Sequence, residues 1–254
     1  MSLLESIILG IVQGITEFLP ISSSGHLAFF KQAMKVKIEN PLFYDVSLHI
    51  GTIFSVLFVL RKEILDYIKK KEMLLGIIVS FILTVPVALV FENFAERVEE
   101  SLILLSFSFF VGALILFSSR FLRLNLKNHF IKYALIGIMQ GVSAIPGISR
   151  SGTTISTAFV VGFTPQEAFS FSFVLSIPTI LSAISYKLMK VLLGKEALSG
   201  VEFSHLFFGI LTSFVFGVIS LYILRKIVIN YKLWTFGIYM LFMSVICAIW
   251  KFIL

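Results

Sequence analysis

The chain has 254 residues, of which 58% are hydrophobic and only 14% charged, with 28 phenylalanines and a formal net charge of +7; its mean hydropathy is +1.00. Such a composition excludes a soluble globular domain and a disordered tail, and indicates an all-α polytopic membrane protein. The positive charge does not indicate nucleic acid, because Lys and Arg fall in short loops between apolar runs, where they set membrane topology.

Residues 3–30 begin the chain as an apolar run that is broken by "GITEFLPISSSGHL" (14–27), with a proline, three serines, Glu17 and His26. The run lacks a basic start and carries Glu5 and Glu17, so it reads as mature protein and not as a secretory signal. Three uninterrupted runs follow at 42–60, 73–91 and 102–119, each near the roughly 20 residues that cross a bilayer. Asp45 and His49, four apart at the start of the first, face either a cavity or the headgroups. "YIKKKE" (67–72) reads as a cytoplasmic anchor, and the acidic "ENFAERVEES" (92–101) as an outward loop. A second broken run, 131–163, holds "IPGISRSGTT" (145–154). It is followed by runs at 168–189, 204–224 and 233–253. The stretch "FSFSF" (169–173) reads as lipid-facing or packing surface that also suits guidance of a prenyl tail. His129 and His205, at span ends, read as interfacial, and the lone Cys247 forms no internal disulfide.

The two broken runs are copies. At an offset of 127 residues, "GIVQGITEFLPISSSGH" (10–26) lies over "GIMQGVSAIPGISRSGT" (137–153) with eight of seventeen positions identical, and "HIGTIFS" (49–55) over "SIPTILS" (176–182) with four of seven. The single domain 1–254 therefore divides into repeat one, about 1–127, and repeat two, about 128–254. Each repeat has one broken segment and three spans. If the broken segments enter and leave on one side, the odd span count starts the second repeat on the opposite face, giving inverted topology. The loops 61–72, 120–132 and 225–232 then share a side and carry twelve Lys and Arg, against eight on the other side. The richer side is cytoplasmic by the positive-inside rule. Non-helical backbone at membrane depth is tolerated only inside protein or along a wet cavity. The two turns are therefore expected to meet near the midplane as re-entrant segments.

Ionisable groups in such turns cost roughly 2.5–3.5 kcal/mol on insertion scales, which marks them as functional. Glu17 aligns with Ala144, Ser23 with Arg150 and His26 with Thr153, so the scaffold repeats while the reactive groups differ. Arg150, among Ser149, Ser151, Gly152, Thr153 and Thr154, offers fork-like donors and hydroxyls suited to phosphate oxygens, with a helix N-terminus beyond it. The plainer reading makes Arg150 the structural ion-pair partner of Glu17. Ser22, Ser23 and Ser24 with His26 supply a nucleophile and a proton carrier, or else a helix cap, which for Ser22 and Ser24 is as good a reading. Gln13, four residues before Glu17, shares its helix face. One carboxylate and one amide suit a cation completed by substrate phosphates better than a preformed cage.

"QGITEFLPISSSGH" and "PGISRSGTT" resemble the two motif regions of the undecaprenyl-diphosphate phosphatase family of bacitracin-resistance proteins, and length, span count, repeat and motif order agree along the whole chain. The resemblance implies a bacterial integral membrane hydrolase that converts undecaprenyl diphosphate to undecaprenyl phosphate. It also implies a site in the inner membrane that opens to the outer face, a divalent cation (Mg²⁺ or Ca²⁺), and competition from bacitracin for the lipid. Glu17, Ser23, His26 and Arg150 fall on its catalytic positions; Ser22, Ser149, Arg150 and Thr154 on substrate-binding ones; Glu17 and Gln13 on the metal positions, where some members carry Glu for Gln13. The nucleophile is Ser23 or a water activated by His26 or Glu17. Membrane lipids and the polyprenyl diphosphate are the expected partners, a homodimer is admitted without a sequence signal for it, and nucleic acid is not expected. An inverted-repeat transporter or flippase for a lipid phosphate is the alternative.

Overall fold

A computed structural model describes residues 2–33, 41–193 and 202–253, and every regular element among them is an α-helix. In chain order these are α1 (Leu3–Phe18), α2 (Ser23–Ala33), α3 (Pro41–Val59), α4 (Arg61–Lys69), α5 (Lys71–Glu100), α6 (Leu102–Phe121), α7 (His129–Val142), α8 (Arg150–Val160), α9 (Pro165–Leu192), α10 (Phe203–Ile229) and α11 (Thr235–Ile253). The two broken runs are the pairs α1/α2 and α7/α8. The six expected spans are α3, α5, α6, α9, α10 and α11. Among the described residues α5, α6, α9 and α10 are long and apolar enough to cross a membrane, while Val46–Val59 and Thr235–Lys251 are shorter apolar helices. The chain is a multi-pass membrane protein.

Two segments differ from the sequence expectation. The acidic stretch 92–100 is helical and continues α5. Ala, Glu and Arg are strong helix formers, and thirty residues at 1.5 Å each reach about 45 Å, well past the hydrocarbon core. The acids thus ride on the end of a span and do not form a loop. The expected loop after α3 contains α4, which buries Tyr67 against Phe171 (ring centroids 6.3 Å apart) while Leu65 and Ile68 stay exposed. This is the two-faced pattern of a helix lying in the membrane interface.

Small residues set the packing of the broken helices. Gly10 and Gly14 of α1 press on α10, where an added Cβ would come within 2.6 Å of the carbonyl oxygens of Gly209 and Ser213. Gly137 and Gly141 of α7 press on α5 in the same way, with the carbonyls of Ser80 and Thr84 at 2.3 and 2.9 Å. Small residues four apart let helix backbones approach closely in lipid. Hydroxyls bridge the α5–α7 contact, where Ser80 donates to the Tyr133 carbonyl (2.7 Å) and Thr84 to that of Gly137 (3.0 Å), and Ser213 ties α10 to α3 through the Leu48 carbonyl (2.8 Å). The pairs α1 on α10 and α7 on α5 correspond under the repeat. Between α6 and α11, Ser106 and Ser244 each donate to the other's carbonyl, at 2.7 and 2.8 Å.

The "FSFSF" stretch lies in the interior. Phe169, Phe171 and Phe173 of α9 are all buried, with Phe173 edge-on to Phe18 at 5.7 Å and Phe171 stacked on Tyr133 at 5.4 Å. They are core residues and face no lipid, because α9 is enclosed by helices of both repeats.

Candidate active site

In the first turn, α1 ends because Leu19, before Pro20, is pushed into extended backbone (φ −62°, ψ 142°). Ser22 then adopts φ +70°, a left-handed conformation that costs a non-glycine residue about 1–3 kcal/mol. Four hydrogen bonds hold it there. Its hydroxyl accepts from the Gly25 amide (3.3 Å) and from the Gly147 amide of the other repeat (2.9 Å), and its carbonyl accepts from the His26 amide (3.1 Å) and from His26 Nδ1 (2.8 Å). Ser22 is therefore the cap of α2 and the stitch between the repeats.

The second turn closes in the same manner. The Ser149 hydroxyl caps α8 by accepting from the Gly152 amide at 3.2 Å. Gly147 is left-handed (φ +91°), and a Cβ there would lie 2.7 Å from Ser108 Cβ, so both conformation and space require glycine. The turns touch through reciprocal positions: a Cβ on Gly25 would meet the Gly147 backbone at 2.9 Å, and one on Gly152 would meet Pro20 at 3.1 Å. Pro20 and Gly147, and likewise Gly25 and Gly152, are equivalents under the repeat.

The diverged residues converge at this contact. Buried Glu17 accepts from Gln13 Nε2 (3.1 Å) and from the Ser23 hydroxyl (2.7 Å) on one oxygen, and from Arg150 Nη2 (2.5 Å) on the other. His49 Nε2, from α3, stands 3.7 Å from the first oxygen. Side-chain exposure rises from 7% at Glu17 through 15% at Arg150 to 27% at His49, so the cluster opens on the Arg150 and His49 side. Two buried polar atoms here lack partners among the described residues: Gln13 Oε1 and Arg150 Nη1. Buried polar groups are nearly always satisfied. An unused amide oxygen and an unused guanidinium N–H beside one carboxylate form a donor and acceptor set for a cation and an anion together.

His26 lies apart from that cluster. A carbonyl only accepts, so Nδ1 carries the proton given to Ser22, and Nε2 is 2.8 Å from the Tyr239 hydroxyl of α11. The ring stacks on Tyr239 (centroids 5.7 Å) and stands perpendicular to Phe109 at 5.5 Å. Both nitrogens are thus engaged away from Ser23, whose hydroxyl rests on Glu17. Ser149 and Thr154 point inward as well. The Thr154 hydroxyl bonds the Arg150 carbonyl (2.9 Å) and the Ser172 hydroxyl (2.5 Å). Gln13, Glu17, Ser23 and Arg150 are brought together, with Ser22 beneath them; Tyr239 and Ser172 had no signal in the sequence. The Asp45 side chain lies outside the described residues.

A sequence model of the family described as Bacitracin resistance protein BacA matches residues 6–246. The chain is 35% identical to a protein named Undecaprenyl-diphosphatase from Carboxydothermus hydrogenoformans, over 96% of each chain. It is 36% identical to one of that name from Treponema denticola, over 95% of this chain and 94% of the relative. A third, from Methanococcus maripaludis, is 37% identical over 93% and 95%. With both turn motifs and nearly the full length inside these matches, the chain belongs to the bacitracin resistance protein BacA family.

Proposed function

We propose that this protein is an integral membrane phosphatase that hydrolyses undecaprenyl diphosphate to undecaprenyl phosphate and inorganic phosphate, recycling the lipid carrier for cell-wall synthesis and thereby conferring bacitracin resistance. The family match and the names of the relatives support it. The observation that carries it is the bonding of Glu17 to Ser23 of its own repeat and Arg150 of the other. That arrangement holds a hydroxyl, its proton acceptor and an anion-binding guanidinium within one cluster.

The steps follow from these groups. The diphosphate binds to the unused Nη1 of Arg150, whose planar fork matches phosphate oxygens. The Ser23 hydroxyl attacks the terminal phosphorus and passes its proton to Glu17. An O–P bond forms, and the bond from phosphorus to the bridging oxygen breaks, releasing the lipid monophosphate. Water then cleaves the serine phosphate, restoring Ser23 and freeing inorganic phosphate. His26, fixed between the Ser22 carbonyl and Tyr239, keeps the α2 N-terminus in register and so positions Ser23.

The donor set fits a divalent cation, Mg²⁺ or Ca²⁺, because Gln13 Oε1 is unpartnered among the described residues and, unlike the equally unpartnered Gln140 Oε1, belongs to a glutamine bonded to a carboxylate, and substrate oxygens complete such sites. Bound there, the cation would neutralise charge on the diphosphate and on the departing phosphate. The family membership supports a site in the cell's inner membrane that opens to the outer face, and the charge asymmetry of the loops supports placing 61–72, 120–132 and 225–232 on the cytoplasmic side. The test is phosphate release from undecaprenyl diphosphate by detergent-purified protein, with cation and with chelator. Cation-dependent release is expected; a folded sample that binds the lipid without cleaving it would make the protein a carrier of lipid phosphate.

A further inference from the structure

Away from the reaction centre, the ends of α6, α10 and α11 border an open surface cavity of about 570 Å³ lined by Arg120, Arg123, Asn230, Lys232, Trp234 and Thr235, among others. It sits beside the C-terminal end of α8, where the Leu124 amide donates to the Val160 carbonyl (2.7 Å) and Phe159 meets Tyr231 at 5.6 Å. Arg150 begins that same helix, so the two sites are separated by its eleven residues, or about 15 Å.

Three cations converge here from two connections of the chain. The Arg120 guanidinium lies over the Trp234 ring, 4.3 Å from its centroid, and Arg123 is braced by Nη1 donating to the Ser119 (2.6 Å) and Leu122 (2.8 Å) carbonyls. No carboxylate pairs with Arg120, Arg123 or Lys232 among the described residues. The sequence explains why, since neither Asp nor Glu occurs from Ser101 to Gln166 or from Phe203 to the end. The turn between α10 and α11 is also held in an uncommon form. The Lys232 amide bonds the Ile227 carbonyl (3.1 Å) and the Tyr231 amide that of Val228 (2.9 Å), a helix-ending motif whose left-handed position is usually glycine. Here it is Tyr231, at φ +56°.

The neighbours identify the ligand. Phe121, Leu122 and Leu124 are exposed along the last turn of α6 and the connection after it, the stretch that carries Arg120 and Arg123. Apolar side chains to be buried in acyl chains, with cations and a tryptophan at the same level, describe the boundary between hydrocarbon and headgroups. We propose that this cavity binds the phosphate headgroup of an anionic phospholipid, with Arg120 and Lys232 on the phosphate and Trp234 fixing Arg120. Each such cation near the surface favours an anionic lipid about fivefold, so the pocket selects the headgroup charge and not merely the bilayer.

The experiment uses the full chain with Trp250→Phe, which leaves Trp234 as the sole tryptophan. It is reconstituted in phosphatidylcholine vesicles in which the same minor fraction is brominated on the acyl chain, either as phosphatidylglycerol or as phosphatidylcholine. Brominated phosphatidylglycerol is expected to quench Trp234 several-fold more strongly. The preference should vanish in Arg120→Gln/Lys232→Gln, which retains phosphate release from undecaprenyl diphosphate as its check of folding. Equal quenching by the two lipids in the unsubstituted pocket would overturn the proposal. So would loss of the preference on adding millimolar inorganic phosphate, which would make the pocket a free-phosphate site.

Discussion

The two turns are built from one sequence, yet only one carries an acid. In both, a serine caps the following helix through the amide three residues on (Ser22 to Gly25, Ser149 to Gly152), and a glutamine lies buried toward the end of the preceding helix. The partners of that glutamine differ. Gln140 Nε2 donates to the neutral hydroxyls of Thr84 and Thr179, both at 2.9 Å, and its Oε1 is unpartnered among the described residues, as that of Gln13 is. Gln13 Nε2 donates to Glu17, which also gathers Ser23 and Arg150. The shared positions build the scaffold and the unshared ones build the reaction centre, with each repeat supplying what the other lacks.

The sharpest break in that comparison is Ser23→Ala, which keeps the turn and removes the hydroxyl; turnover is expected to fall by about 10³-fold or more, read as phosphate release. Arg150→Ala should cost about 10²–10³ in turnover. It also strands a buried Glu17, at about 3–5 kcal/mol of stability. Adding Glu17→Gln should recover much of the melting temperature without recovering activity. Recovery of both would reduce the pair to a structural contact.

Next in size is Gln13→Ala, which should raise the cation concentration for half-maximal activity at least about tenfold, whereas Gln140→Ala should leave it unchanged. Smallest is the loss of the caps. Ser149→Ala should cost about 1 kcal/mol of stability. Ser22→Ala should cost more, since it also loses the bond to Gly147 across the repeats. Equal melting temperatures for the two would break the claim that Ser22 joins the halves.

Much of this was legible in the chain. Continuous apolar runs announce spans, and α3, α6 and α11 begin and end within two residues of expectation. The proline and serine clusters announce the two breaks, and the offset of 127 residues marks which turn residues diverged. Three features were not legible, for physical reasons. The polar end of α5 forms helix by propensity, a signal that hydropathy ignores. Phe169, Phe171 and Phe173 look the same whether they face lipid or protein, because apolar composition alone does not separate the two in a membrane. Tyr239 reaches the first turn from α11 through a tertiary contact that leaves no local pattern, whereas His49, which the sequence places at a cavity or at the headgroups, takes the first of these, beside Glu17.

The central claim is that the site exists only where the two repeats join, with Arg150 of the second acting on Glu17 and Ser23 of the first. Its most direct test is phosphate release from undecaprenyl diphosphate by Glu17→Gln/Arg150→Ala beside Glu17→Gln alone, with both samples matched for melting temperature. A further large loss in the double variant is predicted, because Arg150 holds the diphosphate whether or not it pairs with the acid. Equal turnover in the two would contradict the account and leave Arg150 as no more than the counter-ion of Glu17.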